Sequence, residues 1–454
     1  MTTAAPDQEK TGLGNYFIAN YPPFSFWKPT FLPDALAAVN TPPKAGVPLG
    51  LYLHIPFCRK RCKFCYFRVY TDKNANDISV YLDAITKEVE LLSRTACVGG
   101  RPLDYVYFGG GTPSYLSATQ LDGLMTRLRE IMPWDAAREV TFECEPGTLQ
   151  KHKLEMLKKH GVTRLSLGVE NFKPEILQFN GRAHLEDEIY RAFGWARELA
   201  FEQINIDLIA GMVGEDWDNW RTCVAKTITM APDCVTIYQM ELPYNTVFSQ
   251  ELRKDEEDRT ALDVLHPSSF NTQPSGVADW PTKREWTRYA FDELVNAGYA
   301  VSSATTVVKD PAKTRFVYRE ALWRGADMFG TGVASFGHVN GVHVQNVDTW
   351  EQYIEKLSAN ELPLGRAFPT TARDRLIREV VLQLKTGHLD AGYFRQKYGV
   401  DIRDEFRPAF DKLHEEGWLT VDGESVDTTR AGLMQIDRHL TAFFDPQFIS
   451  SRYT

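Results

Sequence analysis

The sequence has few cysteines, no long hydrophobic run and no excess of positive charge. Its seven cysteines are spread through 454 residues, and an odd number in a long chain argues against a disulfide-stabilised protein. No apolar stretch reaches the length of about 18 residues that suggests a membrane span. The first ten residues, MTTAAPDQEK, lack a signal pattern. We therefore expect a cytoplasmic protein without a membrane partner.

The charge balance narrows the choice of partner. A net charge of −9 argues against general binding to nucleic acid or to an anionic membrane. A hydrophobic content of 43% and a charged content of 24% are ordinary for globular proteins. The length suits one large domain with one or two smaller ones.

Three cysteines lie together after a short apolar run. Leu51–Ile55 predicts a strand, and the sequence LYLHIPFCRKRCKFCYF places Cys58, Cys62 and Cys65 on the loop that follows it. Three thiolates spaced C-x3-C-x2-C can bind three irons of a [4Fe–4S] cluster and leave the fourth iron free for another ligand. The alternatives are a zinc site, which normally needs a fourth protein ligand, and a disulfide bond. The basic residues expected to favour thiolate over thiol are Arg59, Lys60, Arg61 and Lys63.

Strand patterns alternate with helix patterns from residue 49 onward. Six strand and helix units in sequence predict an α/β fold, a partial (β/α)6 barrel with its chemistry on loops at the carboxyl ends of the strands. The predicted strands are Leu51–Ile55, Asp104–Phe108, Glu139–Glu143, Arg164–Val169, Gln203–Leu208 and Val235–Met240. The predicted helices between them are Ile78–Leu92, Leu116–Met132, Lys151–Lys159, Leu185–Leu199 and Asp216–Met230.

Two further segments flank this barrel, which we assign to residues 49–369. Residues 1–48 are rich in proline and aromatic residues and predict a strap packed on the domain surface, with closure over the active site as the alternative. Leu252–Trp286 looks like an insertion. Residues 370–454 predict helices and a hairpin turning at Asp422 and Gly423, the pattern of a winged helix. This segment has 12 basic and 14 acidic residues, so we expect a packing or substrate-covering domain and no DNA binding.

Polar residues follow the predicted strands at one end of the barrel. The sequence FGGGTP at Phe108–Pro113 exposes backbone groups that can pair with an amino-acid moiety, the alternative being a tight turn. Glu143 and Glu170 end the third and fourth strands, and Arg182 follows them. Asp207 lies inside an apolar strand, where a carboxylate is costly unless paired; structural hydrogen bonding is the alternative to ligand binding.

The sixth strand ends in a polar cluster within TIYQMELPYNT. We expect Tyr238, Glu241 and Tyr244 to serve in proton transfer or substrate contact. The alternative is strand-end packing with Met240 in the core. A second charge, Glu145, is expected to be solvated or to start a helix.

The cysteine spacing and the flanking HIPFC resemble the radical S-adenosylmethionine (SAM) enzymes. The resemblance implies a [4Fe–4S] cluster on Cys58, Cys62 and Cys65 whose open iron is chelated by SAM. It also implies reductive cleavage of SAM to a 5′-deoxyadenosyl radical, and an external one-electron reductant of the flavodoxin or ferredoxin type.

The later motifs resemble the coproporphyrinogen-oxidase-like branch of that family, which binds two SAM molecules. The resemblance implies that Tyr52 lies beside the cluster-bound SAM. It implies a SAM-binding role for further residues, namely Gly110, Gly111, Thr112, Glu143, Glu170 and Arg182. The positions that the resemblance assigns to a second SAM are Asp207, Ile209, Met240 and Phe336.

Two residues depart from the coproporphyrinogen oxidases themselves, which have a cysteine where Phe67 stands and a glutamine where Glu170 stands. The sequence segments CYF, GVENF and YQMELPYNT most resemble those of class C radical SAM methyltransferases and cyclopropanases. That likeness implies methylation or cyclopropanation of an sp2 carbon in a natural product or peptide. It also suggests a downstream methyltransferase-like protein as a partner. The alternatives are an oxygen-independent coproporphyrinogen III oxidase-like decarboxylase and a haem chaperone.

Overall fold

The computed structural model describes residues 18–243, 246–251 and 277–449. Tyr16, Phe17, Tyr244 and most of the expected insertion therefore lie outside the described residues. The strands are β1 Leu49–Ile55, β2 Tyr105–Gly110, β3 Glu139–Cys144, β4 Arg164–Glu170, β5 Gln203–Ala210, β6 Cys234–Gln239, β7 Ala300–Val301, β8 Thr306–Val308, β9 Asp327–Thr331, β10 Phe336–Val339, β11 Val342–Asn346, β12 Leu364–Pro369, β13 His388–Asp390, β14 Leu419–Asp422 and β15 Ser425–Thr428.

One large sheet carries the barrel. In the described part of the chain its strand order is β12-β11-β10-β9-β1-β2-β3-β4-β5-β6-β8-β7. Strands β1 to β6 are parallel to one another, and β9 pairs in parallel with β1. Parallel strands covered by helices are buried on both faces, which explains the nearly continuous apolar runs. The prediction of an α/β partial barrel with a C-terminal domain is confirmed.

Helices cover the outer face of the barrel and build the C-terminal region. Several begin with a capping box, in which the N-cap side chain and the third helical residue exchange hydrogen bonds. Asn74, Ser117 and Thr371 are such caps. The α-helices are α1 Leu32–Val39, α2 Ala75–Ser93, α3 Ala118–Ile131, α4 Lys151–Lys159, α5 Pro174–Phe179, α6 Glu186–Glu198, α7 Trp217–Met230, α8 Trp280–Asn296, α9 Val317–Trp323, α10 Trp350–Ser358, α11 Ala372–Leu384, α12 Ala391–Tyr398, α13 Ile402–Glu405, α14 Arg407–Glu415, α15 Arg430–Met434 and α16 Ile436–Leu440.

The end of the chain differs from the sequence-based expectation. The apolar pattern after Thr428 favours one last helix to about Phe444, but α15 and α16 are separated at Gln435, whose backbone is not helical (φ −127°, ψ 18°). The hairpin of β14 and β15 is confirmed, and β13 adds a third antiparallel strand beside β15. None of the helices described here has the length and apolar composition needed to span a bilayer.

The strap segment packs on two regions of the molecule. Ile18 and Tyr21 join the apolar core of the C-terminal region, where the Ile18 N–H donates to the Asp437 carboxylate over 2.8 Å. Further along, Phe24 and Trp27 pack against Phe336 with ring centroids 4.5 and 5.6 Å apart. The strap therefore joins the C-terminal region to the extension of the barrel sheet. The domain boundaries at 48 and 369 stay predictions.

Candidate active site

The loop that carries the three cysteines is fixed by backbone hydrogen bonds. The Cys58 N–H donates to the Tyr70 carbonyl over 3.0 Å, and the Tyr70 N–H donates to the Pro56 carbonyl over 2.7 Å. In the middle of the loop, the Lys63 N–H donates to the Asn180 carbonyl over 3.0 Å. The sulfurs are thus presented at the carboxyl end of β1, where barrel chemistry is expected.

The glycines after β2 allow the backbone to approach this loop closely. A Cβ atom on Gly111 would lie 3.0 Å from the Cys58 sulfur and 2.9 Å from the Pro56 carbonyl carbon. Gly110 has a φ of +113°, and a Cβ there would lie 2.6 Å from the His54 ring. A tight turn would explain the positive φ of Gly110 but not the close contact of Gly111 with a cysteine sulfur. Gly111 is needed because a side chain there would collide with the cysteine loop.

Two of the three sulfurs receive hydrogen bonds from the barrel. The Thr112 hydroxyl donates to Cys58 Sγ over 3.3 Å, and Arg182 Nη1 donates to Cys62 Sγ over 3.5 Å. Such donors stabilise negative charge on sulfur and tune iron–sulfur clusters. All three cysteines are free of disulfides. A donor set of three free sulfurs with hydrogen bonds aimed at them fits an anionic iron–sulfur cluster.

Burial rather than the basic residues of the loop dominates the charge state of the sulfurs. It raises the pKa of Cys58 to about 12 and that of Cys65 to about 11. For Cys58 the opposing influences are Thr112 and Arg182. At Cys65 a basic residue of the loop, Arg61, does lower the pKa, so the expected influence is present there but burial outweighs it. In the described residues, no three or more His, Cys, Asp or Glu side chains surround a position for a single metal ion, whereas a cluster of four irons spreads its ligands farther apart.

Glu143 lies in hydrogen-bonding contact with the glycine segment. It accepts from the Tyr107 hydroxyl over 2.6 Å and from the Gly110 N–H over 3.2 Å. The Tyr107 ring stacks on Tyr52 with centroids 5.7 Å apart. The structure therefore brings Tyr52, the glycines and Glu143 together, as the sequence predicts for one binding site.

Arg182 connects the cysteine loop to the fourth strand. Its Nη2 atom lies 3.6 Å from the Glu170 carboxylate. Glu170 has a φ of 63° and follows a register shift after Gly168 in the pairing of β4 with β5. Left-handed backbone in a residue other than glycine is strained and concentrates at functional sites, so the bulge directs a carboxylate where a regular strand would not.

Asp207 adds a third carboxylate to the barrel interior. It accepts from the Ser166 hydroxyl over 2.8 Å and from the Asn205 side-chain amide over 2.8 Å. These bonds are the ones that the structural alternative requires. Its charge also acts on the two glutamates, since Asp207 contributes to raising the pKa of both Glu143 and Glu170.

The three carboxylates share one electrostatic environment. Burial raises the pKa of Glu143 and of Glu170 to about 7, and it raises the pKa of Asp207 above its ordinary value. Like charges close together reinforce the shift. An interior with this excess of negative charge favours a cationic group, such as the ammonium or sulfonium of a ligand.

Tyr238 faces the same carboxylates from β6. Shielding from bulk water inside the barrel raises the pKa of Tyr238 well above its ordinary value. The negative charges of Asp207, Glu143 and Glu170 raise this pKa further. Its side chain is 44% exposed, which leaves the ring open to a ligand in the barrel. Glu241 lies within electrostatic reach of Tyr66 on the cysteine loop, whose pKa burial and then Glu241 raise to about 12. Both candidates therefore lie at the barrel mouth.

The residues assigned to a second SAM are not all together. Ile209 and Met240 are buried in one apolar cluster, against which Phe64 of the cysteine loop packs. Phe336 is instead on β10 and contacts the strap residues Phe24 and Trp27. Its ligand role stays a prediction without support from these contacts.

Lys283 is a candidate that sequence reasoning missed. It is 2% exposed, and its ammonium donates to the Met240 carbonyl over 2.9 Å. Burial lowers its pKa to about 8, against the influence of Glu241. It also lies 4.1 Å from the Trp280 ring centroid. A lysine in the first turns of a helix beyond an insertion carries no sequence signal of this placement.

Glu145 contacts the cysteine loop through an ion pair with Arg59. It is 8% exposed and lies 3.4 Å from both the Arg59 guanidinium and the His184 ring. The expectation of a solvated charge is wrong, because the side chain is buried against Arg59 and His184. Glu145 does stand at the start of a short 3-10 helix, Pro146–Thr148, although its side chain does not cap that helix. Although burial opposes ionisation, contacts with His184, Arg182 and Arg59 hold the Glu145 pKa below its ordinary value.

Comparison with known proteins assigns two parts of the chain. Residues 52–225 match the radical SAM superfamily, and residues 370–434 match the HemN C-terminal domain. The oxygen-independent coproporphyrinogen III oxidase of Synechocystis is 25% identical over 472 residues, covering 98% of this chain and 97% of that protein. The heme chaperone HemW of Bacillus subtilis is 26% identical over 390 residues, covering 84% and 95%.

A solved structure shares the fold over nearly the whole length. Coproporphyrinogen III oxidase (HemN) from Escherichia coli superposes with a TM-score of 0.78 at 22% identity, covering 94% of this chain and 96% of that one. These relatives correct one prediction. Assignment to the C-methyltransferases and cyclopropanases is wrong, because the relatives that span the chain are named as coproporphyrinogen III oxidases or a heme chaperone.

Proposed function

We propose that this radical SAM protein with a HemN C-terminal domain is an oxygen-independent decarboxylase of the coproporphyrinogen III oxidase type. The observation that carries the proposal is the end-to-end correspondence with the Synechocystis enzyme, 98% of this chain against 97% of that one. Both the radical SAM segment and the HemN C-terminal segment fall within that correspondence.

In this proposal Cys58, Cys62 and Cys65 bind a [4Fe–4S] cluster. Once bound there, the cluster would supply the electron for reductive cleavage of SAM, the chemistry that hydrogen-atom removal from a substrate needs. Glu143 accepts hydrogen bonds from the SAM ammonium, in competition with Tyr107. Arg182 holds the loop through Cys62 and lies close enough to Glu170 to orient it.

Lys283 is proposed to receive a substrate carboxylate. An ammonium has three donors, and one of them is used on the Met240 carbonyl. Propionate side chains are the anionic groups of a coproporphyrinogen, and a buried cation at the barrel mouth suits one of them. Tyr66 and Phe67, 46% and 48% exposed, offer aromatic surface on the cysteine loop.

A second SAM remains part of the proposal, with Asp207, Ile209 and Met240 as its contacts. Tyr238 and Glu241 are proposed to contact the substrate where its carboxylate leaves as CO2. The high pKa of Tyr238 favours its neutral form, so it acts as a hydrogen-bond donor rather than as a base. Tyr244, the remaining candidate, lies outside the described residues.

A haem chaperone is the second candidate, favoured by the match that covers 95% of HemW. One experiment separates the two. Anaerobically reconstituted protein is incubated with SAM, a reductant and coproporphyrinogen III, and the same preparation is titrated with haem. The oxidase-type function predicts 5′-deoxyadenosine and conversion of a propionate to a vinyl group. One hydrogen atom passes to the 5′-deoxyadenosyl group, CO2 leaves, and the remaining electron passes to a one-electron acceptor added to the assay. Stoichiometric haem binding without any turnover of coproporphyrinogen III would support the chaperone instead.

A further inference from the structure

The cysteine loop is a basic segment on an acidic protein. Between Pro56 and Thr71 the chain has five basic residues and no acidic one, although its net charge is −9. The five are Arg59, Lys60, Arg61, Lys63 and Arg68.

Three of these charges are compensated by ion pairs. Their nitrogen–oxygen distances to the partner carboxylates lie between 3.2 and 3.4 Å. The pairs are Arg59 with Glu145, Lys63 with Glu251 and Arg68 with Asp348. These contacts hold the loop on the barrel and leave little net charge at those positions.

The other two charges are exposed. Lys60 and Arg61 lie between Cys58 and Cys62, and neither forms an ion pair with a residue in the described ranges. The Arg61 guanidinium donates to the Cys65 carbonyl over 3.2 Å, so its position is tied to the segment that carries the sulfurs. Two positive charges are therefore fixed at the surface within the cysteine motif itself.

We propose that Lys60 and Arg61 form the contact surface for an acidic one-electron carrier protein that reduces the cluster. The inference rests on the proposed function. Electron transfer requires a short distance between donor and acceptor, and Lys60 and Arg61 are exposed between two of the cysteines that would hold the cluster. Complementary charge raises the association rate of such transient partners without a large interface.

The same loop divides its two tasks between its ends. Tyr66, at the end that follows Cys65, lies within electrostatic reach of Glu241 at the barrel mouth, which we assign to substrate. The Lys60 and Arg61 end is left for the carrier. The electron balance is simple: the reduced flavin or iron–sulfur centre of the carrier loses one electron, and the cluster gains it.

The test compares two double variants with the same change in net charge. Lys60→Glu with Arg61→Glu reverses the loop charges. Lys309→Glu with Lys412→Glu reverses two exposed lysines outside the loop. Affinity for a purified flavodoxin and for a plant-type ferredoxin is measured by fluorescence anisotropy at low and high salt, with protein of equal iron content. Protein without iron is measured as well, so binding is read independently of turnover.

We expect the loop variant to lose about tenfold or more in affinity at low salt for at least one carrier. The control variant should bind like wild type, and the wild-type affinity should fall as salt rises. Carrier-driven formation of 5′-deoxyadenosine should fall by a larger factor in the loop variant than the dithionite-driven rate of the same variant.

Equal affinities of the two double variants would overturn the proposal, and so would the absence of salt-sensitive binding of either carrier to wild type. Failure of the proposed function looks different. In that case dithionite yields no 5′-deoxyadenosine from any form of the protein, while the affinity comparison still decides whether the loop binds a carrier.

Discussion

The Lys283 ammonium donates a hydrogen bond to the Met240 carbonyl over 2.9 Å and so ties α8 to the end of the sixth barrel strand. Met240 packs with Ile209 beside the cysteine loop. The contact places a buried cation where the proposed function puts a substrate carboxylate.

Replacing this cation should weaken substrate binding. Lys283→Met keeps the apolar stem over Trp280 but removes the charge, and we expect KM for coproporphyrinogen III to rise by about tenfold or more with a smaller change in kcat. Lys283→Arg should recover part of the loss. A structural role alone predicts a lower melting temperature with an unchanged KM, and that result would remove Lys283 from the site.

The cluster ligands can be tested against a buried cysteine. Cys58→Ala, Cys62→Ala and Cys65→Ala should each lose most of the iron and sulfide of reconstituted protein, together with its brown absorbance and its SAM cleavage. Cys223→Ala, in α7 and fully buried, should retain iron. Iron content that survives all three loop substitutions would refute the assignment.

Gly111 should be intolerant of a methyl group. Gly111→Ala puts a Cβ 3.0 Å from the Cys58 sulfur, and we expect a displaced loop, a lower iron content and little activity. Gly123→Ala is the matched control, because it lies in α3 with nothing within 4 Å of the added atom. There we expect a gain of about 0.5–1 kcal/mol in unfolding free energy. Normal iron content in Gly111→Ala would contradict the account.

When ionised, the carboxylates of the barrel interior should lower the free energy of unfolding of the protein without ligand. Burial raises the Glu143 pKa from 4.5 to about 7, so folding takes up protons between these values. The stabilising contribution of the protonated form is complete below pH 4.5 and is lost as pH rises through about 7. Glu143→Gln should therefore gain stability relative to wild type as pH rises from 5 to 8.

The expected gain for Glu143→Gln at pH 8 is about 1–3 kcal/mol without ligand. The same change should weaken SAM binding, because Gln keeps the Tyr107 hydrogen bond but has no charge for an ammonium. Thermal denaturation at pH 5 and pH 8, with and without SAM, measures both effects. A variant that is less stable than wild type at pH 8 would show that Glu143 serves the fold rather than a ligand.

The parts of the structure that local patterns determine were predictable from the sequence. Lys151–Lys159 is a helix with the predicted bounds, and the six barrel strands overlap the six predicted strand segments. Parallel topology then places Glu143 and Asp207 at one end of the barrel. These features follow from periodicity and connection length alone.

The parts that long-range packing determines were not predictable. Lys283 is brought to Met240 by a helix that follows an insertion, and Glu145 is buried by elements that lie before and after it in the chain. Phe336 contacts the strap, whose course no local pattern indicates. The substrate class was also mistaken, since short motifs such as GVENF compare only a few residues while the full-length relatives compare the whole chain.

The most direct test follows a hydrogen atom. Coproporphyrinogen III deuterated on its propionate carbons is incubated anaerobically with reconstituted protein, SAM and dithionite, and the 5′-deoxyadenosine is analysed by mass spectrometry. The account predicts one deuterium in 5′-deoxyadenosine for each propionate that loses CO2. Unlabelled 5′-deoxyadenosine, or label that appears only when the SAM methyl group is deuterated, would contradict it.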